Sequence, residues 1–251
     1  MPPVRQYTEE VHQALSYWAT WLPNVAIGVG DCGPIDGRVF RPEATLGDFG
    51  VKFSSKRGNK PLDLHHSSQG AVSYTLQLSA GNQTIPQIPQ GTAGIEISFS
   101  KQDAVVLVVR EAYEHRIANI NTLRKDLFDR QASGDFPTDY AVVTHAVVAE
   151  STTVLLSSAH TAKFAASAKA DFKAGLVDIA NAELGLSRVA GSNLETEIVA
   201  KDGLTPLFKL VGFKRNGWFW GSRRFEDLGF DDDVGGMDLG SVEPSDTDPE
   251  E

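Results

Sequence analysis

The sequence predicts an α+β protein, a twisted, mostly antiparallel sheet that carries a few helices. Three observations predict it. Residues 71–79 and 92–100 alternate cleanly between apolar and polar side chains, the period of half-buried strands. Residues 104–109 form a continuous apolar run, which suits a strand buried on both faces. Residues 8–19 and 121–133 instead carry the spacing and stop signals of helices.

Taken in order, residues 8–19 place Val11, Leu15 and Trp18 on one helical face, with Thr8 as cap and Pro23 as stop. Short strand-like pieces follow at 25–29, 38–41 and 50–53, with a turn at Asp36-Gly37. In 71–79, Val72, Tyr74, Leu76 and Leu78 oppose Ser73, Thr75 and Gln77. In 92–100, Ala93, Ile95, Ile97 and Phe99 oppose Gly94, Glu96 and Ser98. Between them, residues 80–91 hold two prolines and read as a loop too long for a tight hairpin. The helix over 121–133 turns Leu123, Leu127 and Phe128 inward and ends at Gly134. Residues 140–158 are β-rich. Separate segments follow at 176–188, 194–200 and 207–213, then a turn at Asn216-Gly217 and an aromatic strand Trp218-Phe219-Trp220. Beyond Arg224 the chain is rich in Gly, Asp, Glu and Pro and reads as disordered at its end.

The tract 160–174 fits two periods at once. His160, Ala162, Phe164, Ala166, Ala168, Ala170, Phe172 and Ala174 alternate with Thr161, Lys163, Ser167, Lys169, Asp171 and Lys173, a period of two. Phe164, Ala168 and Phe172 also fall four apart, in a stretch rich in Ala and Lys, as on a helix face. An Ala-rich surface helix, one long hairpin arm and a membrane strand of roughly 9–11 residues all remain open.

Composition narrows the class. The 251 residues suffice for one large domain or two small ones, and 41% hydrophobic with 22% charged residues are values of a globular protein. No run approaches the ~18 apolar residues of a transmembrane helix, and Met1 to Gln6 has no apolar core of a signal peptide. The expected location is therefore the cytoplasm. The single cysteine, Cys32, excludes an internal disulfide and a cysteine-based zinc site. The net charge of −10 is concentrated: eleven acids and no Lys or Arg lie in residues 226–251, leaving 22 acids against 23 bases before them. Such a tail either only solvates the chain or covers a basic surface, and a mainly acidic protein is a poor partner for nucleic acid.

Catalytic and ligand motifs are weak. Gly28-Val29-Gly30-Asp31-Cys32-Gly33 has the spacing of a dinucleotide fingerprint, but Pro34 and Asp36-Gly37 follow where a helix is required. The six histidines, His12, His65, His66, His115, His145 and His160, lack the spacing of a metal helix. No nucleophile elbow or phosphate loop is present, so no cofactor, metal or catalytic residue is assigned. Trp218, Phe219 and Trp220 before Arg223 and Arg224 suit either an interfacial membrane anchor or a core strand.

The order of segments resembles the gasdermin pore-forming domain, particularly its bacterial branch. Asp139-Tyr140-Ala141-Val142-Val143-Thr144 is similar to the family's strand of an aromatic followed by Val-Val-Thr. Leu204-Thr205-Pro206-Leu207-Phe208, then Gly212-Phe213, resembles the Pro-Leu-x-Phe stretch that closes the family's sheet, and Trp21-Leu22-Pro23 loosely resembles its early Leu-Ile-Pro segment. The match lies mainly in residues 135–215. The resemblance implies a gasdermin-like pore-forming domain over 1–222 and an acidic C-terminal tail over 223–251, regulatory or disordered. It implies a latent, non-enzymatic pore-former, cytoplasmic when inactive and at the inner face of the cell membrane when active. An activating protease releases it, it oligomerises with copies of itself into a membrane β-barrel, and cell death follows, as antiphage defence if the chain is bacterial. Its lipid partners are anionic. By segment order, the two inserting hairpins map to 71–100 and 160–188. Lys163, Phe164, Lys169, Phe172, Lys173, Lys209, Lys214 and Arg215 are the residues expected to meet the membrane. The lipid-modified cysteine of bacterial members, found in their first few residues, has no counterpart here. A cytoplasmic binding or scaffold domain that never refolds is the second reading, and an enzyme of unrecognised family the third.

Overall fold

The first four amides of a helix have no partner inside it, so proline is at home in its first turn. In the computed structural model, which describes residues 3–22, 25–78, 93–168, 187–214 and 224–228, helix α1 (Pro3–Leu15) begins in this way. Short strands β1 (Trp18–Ala19), β2 (Asp31–Gly33), β3 (Ile35–Asp36), β4 (Val39–Phe40) and β5 (Ala44–Thr45) follow. Then come β6 (Ser55–Arg57), β7 (Leu62–Ser67), β8 (Val72–Leu78), β9 (Ala93–Phe99) and β10 (Val105–Ile117). Helix α2 (Ile120–Ser133) precedes β11 (Ala141–Ser157), β12 (Lys163–Ala168), β13 (Ser187–Ser192), β14 (Leu194–Lys214) and β15 (Arg224–Asp227).

The expected α+β class holds, and every strand pairing among the described residues is antiparallel. A nine-stranded sheet runs β1-β14-β11-β10-β6, with β15 also on β14, β2 on β11, β5 on β2 and β7 on β10. A four-stranded sheet runs β13-β12-β9-β8, and β3 with β4 forms a separate hairpin. That hairpin turns one residue later than expected, since Asp36 is still strand and pairs with Val39: Gly37 and Arg38 both take positive φ, 56° and 73°, as a two-residue hairpin turn demands.

The apolar run at 104–109 is covered on both sides. Val105, Leu107 and Val109 pack with Val154, Leu156 and Leu207 beneath Tyr7 and Val11 of α1. The intervening Val106 packs with Leu155, Phe99 and Phe164 on the opposite face. At the other end of the sheet, Val142, Val211 and Phe213 lie under Leu123 and Leu127 of α2. Behind them, Val143, Phe208 and Leu210 meet Trp18, Ile27 and Phe40. The two stretches that carry the resemblance are therefore paired partners, with Val142 opposite Val211, Val143 opposite Leu210 and Val147 opposite Leu207.

Several expectations are corrected. The first helix starts five residues earlier and ends at Leu15, because Ser16 turns to φ 58°. Thr8 is no cap; it is buried mid-helix and its hydroxyl donates to the Val4 carbonyl at 3.0 Å. Trp18 leaves the helix to pair with Phe208. Residues 25–29 and 50–53 form no strand. In 38–41, only Val39 and Phe40 are strand. Residues 194–200 and 207–213 fuse into one strand of 21 residues. Gly203 at φ 77° and Pro206 fall where its register against β11 shifts, and such a bulge is where a sheet tolerates both residues. Phe128 is only half inward, edge-on to the Phe213 ring. The start of the acidic tail is also sheet: β15 pairs with β14, and Leu228 is buried with the Trp18 indole N–H donating to its carbonyl. Pro23, the loop 80–91, the segment 176–186, Asn216-Gly217 and Trp218 to Trp220 lie outside the described residues.

One polar clamp ties α1 to the sheet. A Glu10 carboxylate oxygen meets His66 Nε2 at 2.8 Å and accepts from the Ser68 hydroxyl at 2.6 Å, while Ser68 Oγ takes the Val105 amide at 2.8 Å. Burial pushes the Glu10 carboxyl up, but the His66 and Ser68 hydrogen bonds and the His66 charge outweigh it and hold the group below its ordinary value. A depressed carboxyl contributes stability above its unfolded pKa and loses it as pH falls through its folded one. Glu10→Gln is therefore expected to lower the melting temperature at neutral pH, with the gap to the parent closing as pH falls below about 4. Calorimetry across that range checks this, and a gap unchanged into acid contradicts it.

Candidate membrane-inserting sheet

Each strand of the four-stranded sheet is the chain neighbour of a strand in the large one. β7 leads to β8, β9 to β10, β11 to β12, and β13 to β14, through turns of no more than five residues. The order is also kept: β7-β10-β11-β14 in the large sheet becomes β8-β9-β12-β13 in the small one. Four turns thus act as one crease across the molecule.

The crease is built from left-handed residues and backbone-directed side chains. Gly70, Asp103 and Asn193 take positive φ of 67°, 59° and 53°. Ser157 is buried at the centre: its hydroxyl donates to the Lys101 carbonyl at 2.6 Å and accepts the Ala104 amide at 2.9 Å. The Ser158 amide and hydroxyl both donate to the Asn193 carbonyl. Such bonds satisfy the backbone groups that ladder pairing leaves free at a bend.

The register places Tyr74, Ile97, Phe164 and Gly191 in one row across the sheet, and Val72 beside Phe99 in the next. The apolar side of these rows faces the body. Phe164 is wholly buried, Ile97 and Phe99 nearly so, against Val106 and Leu155. Tyr74 leans over the large sheet, its hydroxyl 3.1 Å from His65 Nε2 on β7. On the opposite side, Lys163 Nζ donates to Glu96 at 2.9 Å, and Ser98 donates to the same carboxylate oxygen. One sheet therefore has an apolar and a polar face, the alternation that a barrel uses for lipid and lumen. Among the described residues, no strand pairs with the outer edge of β8 or of β13.

Of the expected membrane-contacting residues, Lys163 and Phe164 sit together here, on opposite faces. Lys209 lies elsewhere, on β14, its ammonium 4.6 Å over the ring of Tyr17, which follows α1 and donates to Glu114. Lys214 ends β14, where its backbone pairs with Arg224. Lys169, Phe172, Lys173 and Arg215 lie outside the described residues. Sequence reading missed Glu96 as the Lys163 partner and missed the crease residues Asp103, Ser157 and Asn193. A non-glycine residue at positive φ has no compositional signal, although Asp and Asn are the types that tolerate it.

The other motifs resolve into structure. Gly28 to Gly33 runs into β2; the Gly28 amide donates to Asp31 Oδ2 at 2.7 Å, and a side chain at Gly33 would collide with the Arg41 carbonyl. Cys32 is buried, and its thiol is pushed up to about 12 by burial and by Asp31 and Asp48. No group of three His, Cys, Asp or Glu suited to a metal occurs among the described residues. No helix among them is long and apolar enough to cross a membrane.

No family model matches the sequence, and no curated protein does. Among solved structures, the chain is similar to the membrane pore of Gasdermin A3 seen by cryo-EM, at 12% identity and a TM-score of 0.28. The alignment covers 90% of this chain and 95% of that one.

The two sides of the sheet differ in what they contribute to stability. Lys163→Ala breaks an exposed ion pair and is expected to cost less than about 1 kcal/mol. Phe164→Ala opens a cavity and is expected to cost about 3–5 kcal/mol. Urea denaturation of both variants checks the contrast; equal costs would place Phe164 outside the contact.

Proposed function

We propose that this chain is a latent pore-forming protein whose four-stranded sheet unbends at the crease, lengthens and joins other copies in a membrane β-barrel. The observation that carries this reading is the matched strand order on either side of the crease. Straightening four turns converts two packed sheets into four continuous strands without repairing a single neighbour. Residues 72–99 and 163–192 are each long enough for two spanning strands of roughly 9–11 residues and a turn. Hydrocarbon offers no partner for backbone amides, so the open edges of β8 and β13 must pair between copies until the ring closes. The apolar rows that now cover Val106 and Leu155 would then face lipid, and the Glu96 and Lys163 rows the lumen.

In this reading residues 1–222 are the pore-forming domain, and Lys163, Lys169, Lys173, Lys209, Lys214 and Arg215 draw it to anionic lipid, with Phe164 and Phe172 entering the apolar layer. The acidic tail, 223–251, restrains the body. Its first residues are anchored by β15 and the buried Leu228, which gives a protease cut a mechanical consequence. The protein has no catalytic residue of its own. It waits in the cytoplasm, acts at the inner face of the cell membrane and kills the cell, as antiphage defence if bacterial. Dye-loaded anionic liposomes test this. After limited proteolysis within the tail, the chain is expected to release dye and form large oligomers. A cut chain that stays monomeric and inert supports the binding-domain reading instead.

A further inference from the structure

Between the four-stranded sheet and the β3–β4 side, the same face of the large sheet has an uncovered middle. A hollow of about 240 Å³ lies there, lined by Arg57, Tyr113, His115, Val148, Glu150 and Gly203 among others. Cross-strand pairing explains the grouping: Arg57 is opposite His115 and Tyr113 is opposite Val148, so their side chains share the face. Gly203, with nothing within 4 Å of where a side chain would stand, keeps one wall open. The volume is below the roughly 300–1,000 Å³ of drug-sized sites.

Its two ends carry opposite, incompletely matched charges. At one end the Arg57 guanidinium is stacked 3.5 Å from the Tyr113 ring centre, and no carboxylate among the described residues is paired with it. Stacking fixes the plane while its edge donors stay open to an oxyanion. At the other end, Glu150 hydrogen-bonds Glu111, whose carboxyl is held above its ordinary value by that bond and by the Glu150 charge. Asp63 and Arg110, paired at 3.6 Å, flank this acid couple. Arg57 stands in the row of Ala146, four residues from Glu150 along β11, and its guanidinium reaches only to Tyr113 in the row of Val148, about 7 Å short of the Glu150 row; no ion pair among the described residues joins the two.

We propose that this hollow binds a small zwitterion, a phosphate joined by a short alkyl chain to a primary ammonium. The phosphate meets Arg57 and His115, the ammonium donates to Glu150 and Glu111, and the alkyl link lies on Val148. A quaternary ammonium fits less well, because it needs a free aromatic face and Arg57 already covers Tyr113. The ligand is either a soluble aminoalkyl phosphate or the same group as a phospholipid headgroup.

Amide chemical shifts of the full-length chain titrated with O-phosphoethanolamine test this. The expected result is saturable change at Tyr113, His115 and Gly203, with binding about tenfold weaker for inorganic phosphate, for phosphocholine, and in each of the exposed-site variants Arg57→Gln and Glu150→Gln. Change with phosphatidylethanolamine vesicles, absent with phosphatidylcholine vesicles, assigns the lipid source; change with the soluble compound alone assigns the free one. No saturable change with either source overturns the proposal. So does equal binding of phosphate alone, or binding that both variants leave intact. None of these outcomes depends on pore formation.

Discussion

Burial of Phe164, Ile97 and Phe99 against Val106 and Leu155 holds the two sheets of this molecule together. β10 over residues 105–109 and β11 over residues 154–156 are apolar on both faces because α1 covers one and the small sheet the other. Full burial of side chains of this kind stabilises by about 1.5–3 kcal/mol each, so a handful of residues is enough to keep the small sheet folded down in water. Hydrocarbon would serve the same atoms equally well. In the proposed function, fold retention and membrane insertion draw on this one apolar surface, and the choice between them depends on what the solvent is and on whether neighbours are present to close the edges.

The crease supplies the mechanical route that the proposed function needs. Its turns are short, its backbone groups are satisfied by Ser157, Ser158 and Asn193, and its strands keep their neighbours on both sides. A fold that had to exchange strand partners would need to break ladders before making new ones. Here the ladders of the two sheets are already in the same order.

Much of this was legible in the residues. Alternation at 71–79 and 92–100 gave β8 and β9 nearly to their ends, and Asn121 to Gly134 gave α2 with its left-handed stop at φ 82°. The double-faced strand β10 was visible as an unbroken apolar run. What composition hid was connection. Residues 194–213 looked like two strands because Gly203 and Pro206 are breakers in most settings, whereas a bulge absorbs them here. Thr8 looked like a cap because hydroxyls favour that place, yet burial beneath the sheet turned it back onto its own helix. The ambiguous tract resolves as strand over Lys163–Ala168, where Phe164 pairs with Ile97; tertiary pairing decided between two equal local periods. Of the site, the alternation could be read and the crease could not, since it is made by four turns far apart in the chain.

The most direct measurement uses the period itself. With Cys32 replaced, single cysteines at Ser73, Tyr74, Thr75, Glu96, Ile97 and Ser98, one per variant, carry a polarity-sensitive fluorophore, and the tail-cut chain is mixed with anionic vesicles. The account expects Tyr74 and Ile97 to move into hydrocarbon while Ser73, Thr75, Glu96 and Ser98 stay in water. Uniform signals across the six, or no change on adding vesicles, would contradict it.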